Sequence, residues 1–141
     1  MQTFQHTTPA QELPKRQRVT GAVLSAVPVL FLLLDAAMKL AELAPVRASF
    51  REVGYSPGLA QPIGLLELCC LVVYLVPRFA PLGALLLTGY LGGAVATHVR
   101  MSAPLFSHTL CPVYVALFLW LGLWLRDERV RRLAASEVDS A

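Results

Sequence analysis

Four apolar runs, each near the roughly 20 residues that a helix needs to cross about 30 Å of hydrocarbon, leave this chain few ways to fold. They cover about Val19 to Glu42, Pro57 to Val76, Pro81 to Val99 and Ala103 to Leu125. With 56% of its residues hydrophobic, 15% charged and a mean hydropathy of +0.60, a 141-residue chain carries more apolar surface than one soluble core could bury. The expected fold is all-α, an integral membrane four-helix bundle with its helices at 19–42, 57–76, 81–99 and 103–125.

Turn signals separate the runs: Gly54 with Ser56 and Pro57, then Pro77 to Pro81, then Arg100 to Pro104. Pro57, Pro81 and Pro104 suit a first helical turn, where a missing N–H costs nothing. Pro28 and Pro112 fall inside the first and fourth predicted helices and predict kinks. Between the first two helices, Val46, Phe50 and Val53 recur at helical spacing before Gly54, which predicts a short amphipathic helix over 45–54 on the outer surface. The first run is preceded by Lys15, Arg16 and Arg18 like a signal peptide. Cleavage after Ala37 or Ala44, however, would put Asp35 or Glu42 where a small residue is required, so the run is read as a retained helix.

Basic residues set the orientation. With the N-terminus cytoplasmic, Lys15, Arg16, Arg18, Arg78, Arg126, Arg129, Arg131 and Arg132 lie inside, against Arg47, Arg51 and Arg100 outside. Both termini are therefore expected in the cytoplasm, as a disordered tail at 1–18 and a second tail at 127–141. Trp120 and Trp124 are then expected to anchor the inner interface. The net charge of +3 follows from this asymmetry and gives no sign of a nucleic-acid surface.

Threading in alternate directions gives each polar residue a depth. At 1.5 Å per residue, Asp35 lies about 10 Å and Lys39 about 5 Å inside the outer boundary. Glu67 enters from the same side, Thr97, His98 and Arg100 end the third helix there, and Ser107, His108 and Thr109 begin the fourth. All of these share one layer. Charged groups in lipid cost about 2.5–3.5 kcal/mol at a helix centre, so they face the bundle interior and pair. Asp35 and Lys39 are spaced i, i+4, and Glu67 needs Lys39, His98 or Arg100 as a partner, or a proton. Two readings stay open: a buried ion network that only fixes helix register, and a polar pocket for a ligand or partner.

Gly89 with Gly93, and Gly92 with Ala96, form small-xxx-small pairs that predict close approach of another helix. Tyr90 is expected to hydrogen-bond across the bundle or to line a ring-shaped ligand. Cys69, Cys70 and Cys111 read as small hydrophobes, with a Cys70–Cys111 redox pair as the alternative. There is no metal-ligand spacing and no nucleophile, phosphate-loop or dinucleotide motif, so the residues assign no catalytic group.

DAAMK at 35–39, GLLEL at 64–68, GALLLTGYLGGAVATHVR at 83–100 and WLGLWLRD at 120–127 together resemble the DoxX-like family of small four-helix membrane proteins. The resemblance covers roughly Val23 to Arg132 and implies a multi-pass protein of a bacterial cytoplasmic membrane. It also implies a redox-associated subunit, since relatives are linked to a quinone-reducing thiosulfate oxidoreductase and to complexes in thiol and oxidant defence. Asp35, Lys39, Glu67, His98 and Arg100 fall on the family's polar motif positions.

Three functions are carried forward. One is a redox-complex membrane subunit whose outer-leaflet pocket takes a quinone or similar molecule, with Glu67 and His98 exchanging protons, Asp35 and Lys39 holding them and Tyr90 lining the apolar side. The second is an assembly or interaction protein whose charges lock register. The third is a small transporter or intramembrane isomerase. Expected partners are the lipid bilayer with redox-complex subunits or further copies of the chain.

Overall fold

The computed structural model describes residues 14–132. Among them there is no strand, and five α-helices follow one another: α1 (Lys15–Leu40), α2 (Ala44–Glu52), α3 (Ala60–Leu75), α4 (Ala80–Arg100) and α5 (Cys111–Arg126). A 3₁₀ turn, Pro57–Leu59, leads into α3, and a π-helical turn, Leu105–Thr109, lies before α5. α1 packs on α3 and α5, and α4 packs on the same two helices, so the four long helices close a cycle. Two of them, α1 and α4, are long and apolar enough to cross a membrane. The other two, α3 and α5, are apolar but have only 16 residues each.

Helix boundaries follow the prolines and the turn residues. α1 begins at Lys15, so Lys15, Arg16 and Arg18 belong to its first turns rather than to a tail. Residues 1–13 of the expected N-terminal tail, and residues 133–141 of the expected C-terminal one, lie outside the described residues. Sequence reading placed Pro112 as a kink inside a helix running from residue 103. The structure instead puts Pro112 in the first turn of α5, behind the π turn, where its missing N–H breaks no bond. Pro28 does lie within α1. α2 falls in the predicted amphipathic stretch, and its Val46 and Phe50 pack on Ala60 with Met38, Tyr55 and Ile63 alongside.

Three helices share one way of stopping. α1, α2 and α4 each end in a residue of positive φ, Glu42 at 47°, Gly54 at 76° and Ser102 at 50°. In each the following N–H reaches back five residues: Leu43 to Met38 at 3.2 Å, Tyr55 to Phe50 at 2.8 Å and Ala103 to His98 at 3.1 Å. These are Schellman closures, which turn the chain sharply while satisfying carbonyls that the helix leaves free.

The helices meet through small residues, though not those that the sequence suggested. A Cβ on Gly122 would stand 2.3 Å from Ser25 Oγ, and one on Gly83 2.2 Å from the Tyr74 backbone nitrogen. Gly21 and Gly122 join the start of α1 to the end of α5, and Gly64 of α3 seats against Lys39 near the end of α1. A Cβ at Gly89, Gly92 or Gly93 would meet nothing within 4 Å, so these glycines do not hold the described helices together. The reason is azimuth: α4 buries Ala80, Gly83, Ala84, Leu87 and Leu91, which puts the other three glycines on the opposite face.

The buried core joins Leu32, Leu71, Tyr74, Ala84, Leu87, Leu119 and Leu123. Within it the Tyr74 hydroxyl lies 3.0 Å from both Ser25 Oγ and the Leu119 carbonyl oxygen. The outer faces are apolar too: Val27, Leu30, Leu85 and Leu117 are 61–64% exposed. Such surface is unfavourable in water over a whole molecule and suits lipid. Of the two predicted anchors, Trp124 is exposed, and Trp120 turns its indole N–H to Thr88 Oγ1 of α4 at 2.9 Å.

A polar clasp closes the end where α5 stops. After a break at Asp127 the chain is helical again over 128–132, and Arg129 donates to the Pro77 carbonyl at 2.5 Å and to Asp127 Oδ2 at 2.8 Å. Partial burial pushes the Asp127 carboxyl up, but hydrogen bonds from the Arg129 side chain and backbone outweigh it and hold the group below its ordinary value.

Candidate functional site

The end of α1 and the middle of α3 and α4 converge on one ammonium group. Asp35 and Lys39 lie one turn apart on α1, and the Lys39 Nζ donates to Asp35 Oδ2 at 2.6 Å. It also donates to Glu67 Oε2 of α3 at 2.8 Å and to the Tyr90 hydroxyl of α4 at 2.7 Å. Tyr90 in turn donates to Glu67 Oε2 at 2.8 Å. Glu67 is wholly buried, and its other oxygen, Oε1, has no hydrogen-bond partner among the described residues. Gly64, one turn before Glu67, gives Lys39 the room to lie against α3. With both carboxylates ionised the cluster carries one excess negative charge.

Above this cluster opens a cavity of about 960 Å³. Its walls are mostly apolar, with Phe31, Leu32, Ile63, Leu66, Leu86 and Val115 among them, while Asp35, Lys39 and Tyr90 form one polar side and Thr97, His98 and His108 also reach the wall. α2 covers it through Val46, Ser49 and Phe50. Gly89, Gly93 and Ala94 of α4 also line it, so small residues there leave space rather than drawing helices together. In size and in character, apolar with a few converging polar groups, it matches a small-molecule site.

The structure gathers Asp35, Lys39, Glu67 and Tyr90 and leaves His98 and Arg100 outside the cluster. Arg100 donates to the Val53 carbonyl at 2.6 Å and lies 5.5 Å from the centre of the Tyr55 ring, so it fastens the α2 cap to α4. His98 lines the cavity and stands edge-on to His108, with ring centroids 6.2 Å apart. Lys39, and neither of these two residues, is the basic partner of Glu67. Cys70 and Cys111 both line the cavity as free thiols, while Cys69 is exposed on another face.

Tyr55 went unread in the sequence because it sits in the turn after Gly54 rather than on a long helix. Its hydroxyl pairs with Thr97 Oγ1 at 2.9 Å, and Thr97 donates to the Gly93 carbonyl at 3.0 Å. The aromatic residue directly after a helix-ending glycine was the available signal.

A model of the DoxX-like family matches residues 23–122, which takes in every residue of the cluster and of the cavity wall. Comparison with curated proteins and with solved structures gives no match. The matched span is well over half of the chain, and it contains α2, α3 and α4 whole with most of α1 and α5. The chain belongs to the DoxX-like family.

Proposed function

We propose that this protein is a multi-pass protein of a bacterial cytoplasmic membrane that holds a lipid-soluble small molecule, a quinone or one of similar shape, as the membrane subunit of a redox-associated complex. α1, α3, α4 and α5 would all cross, with both termini in the cytoplasm, the two shorter helices being lengthened by the turns that precede them. The observation that carries the reading is the cavity of about 960 Å³ with apolar walls and one charged side. A purely structural ion pair needs no such space beside it. An apolar body would occupy the walls formed by α1, α3 and α4, and its polar head would meet Asp35 and Tyr90.

The reading of the charges as a register lock has its own support, since Lys39 has all three protons committed inside the cluster. The two readings separate on bound matter. Mass spectrometry of the solvent extract of purified protein is expected to find a quinone or related lipid at near-equal amount to the chain, and a deletion strain is expected to lose part of its respiratory activity. A clean extract together with unchanged respiration would contradict the proposal and leave the register lock.

A further inference from the structure

Every hydroxyl and ammonium proton on the cavity wall whose bonding is described is already spent within the chain. Lys39 gives its three to Asp35, Glu67 and Tyr90, at 2.6, 2.8 and 2.7 Å. Tyr90 gives its one to Glu67 Oε2 at 2.8 Å. Ser49 donates to the Pro45 carbonyl at 3.0 Å. Thr97 donates to the Gly93 carbonyl at 3.0 Å, which leaves Tyr55 as the donor in the 2.9 Å contact between their hydroxyls. What the cluster has left is lone pairs: the second oxygen of Asp35, a side chain 33% exposed beside the cavity, and the unpartnered Oε1 of Glu67 behind it. With both carboxylates ionised the excess charge is negative as well.

From this inventory we infer that the Asp35–Lys39–Tyr90 side of the cavity selects a ligand whose head is a hydrogen-bond donor, a hydroxyl or an amine on an apolar body, and disfavours a head that only accepts. The inference rests on the cavity being a ligand site, as proposed above. A donor head adds a charge-assisted hydrogen bond to Asp35 without disturbing the cluster. At this cluster an acceptor head must take a proton from Lys39 or Tyr90, and so leaves a buried carboxylate short of a partner; the other donors on the wall, the His98 and His108 imidazoles and the Cys70 and Cys111 thiols, lie outside the cluster. Applied to a quinone couple, the reduced form with its two hydroxyls is held more tightly than the oxidised form.

The test uses matched probes on the full-length protein in nanodiscs. 4-Nonylphenol and its methyl ether, 4-nonylanisole, differ by one donor proton; dodecylamine supplies a cationic donor and decylubiquinone an acceptor head. The phenol is expected to bind about tenfold or more tighter than the ether, the worth of one hydrogen bond to a charged group. In Asp35→Asn, which offers a donor in place of an acceptor, that preference is expected to fall toward equality. Tightest binding by dodecylamine would also support the inference and assign the donor to an amine. Equal or tighter binding of the ether to the unaltered protein would overturn it, as would binding of decylubiquinone alone, which leaves the cavity reading intact. Binding of none of the four would overturn both.

Discussion

Lys39 is the residue on which the interior depends, because it is the cation that pairs with two carboxylates, one of them wholly buried, where unpaired charge is costly. Lys39→Met strands Asp35 and Glu67 together, and is expected to destabilise the protein by about 3–5 kcal/mol. Tyr90→Phe removes one hydroxyl from the same cluster and is expected to cost about 1–2 kcal/mol. Thermal unfolding in nanodiscs measures both, and equal losses would mean that the ammonium is not the keystone. This cluster was legible in the sequence because, if all four apolar runs cross a membrane, the cost of charge in lipid limits where Asp35, Lys39 and Glu67 can sit and threading sets their depths. Depth says nothing of azimuth. His98 and Arg100 share the layer, yet Arg100 turns to Val53 and Tyr55, a contact fixed by the path of the chain after α2 that no helical spacing encodes.

Helix interfaces show the same division between what a pattern specifies and what packing decides. Small residues mark where helices can approach, and the sequence holds more of them than the described contacts use. Gly83→Leu would drive a side chain into the Tyr74 backbone and is expected to cost about 3 kcal/mol or more, separating α3 from α4. Gly92→Leu, on the open face of α4, is expected to change stability by no more than about 0.5 kcal/mol. Thermal unfolding of the two variants side by side decides the matter: an equal loss at Gly92 would show that another molecule covers that face. Pro112 illustrates the point differently. A proline in an apolar run reads as a kink, but Pro104 and the π turn at Leu105–Thr109 had already ended the helical path, so Pro112 opens a helix instead.

At the scale of the whole molecule, the four long helices alternate in direction around their cycle, and Lys15, Arg16, Arg18, Arg78, Arg126 and Arg129 fall at the end that holds the Asp127–Arg129 clasp, against Lys39, Arg47, Arg51 and Arg100 toward the other. If all four cross the membrane, single cysteines introduced at residues 10 and 136, in a background without Cys69, Cys70 and Cys111, should resist an impermeant maleimide in intact cells and react after lysis. Labelling of either in intact cells would overturn the proposed topology. That arrangement puts the Lys39 cluster and its cavity in the outer half of the bilayer, open to an apolar ligand and capped by α2. The all-α character was legible in the sequence, whereas the pocket expected from it had neither walls nor volume until the helices were packed. Gly89, Gly93 and Ala94 line a gap in its wall, where a Cβ on either glycine would meet nothing within 4 Å. Native mass spectrometry of the protein ejected from nanodiscs therefore tests the central claim most directly, comparing the unaltered chain with Ala94→Trp, which fills that gap. The unaltered chain should carry one small-molecule adduct, and Ala94→Trp should fold at similar yield and lose it; a bare unaltered chain, or an adduct that survives the substitution, would contradict the account.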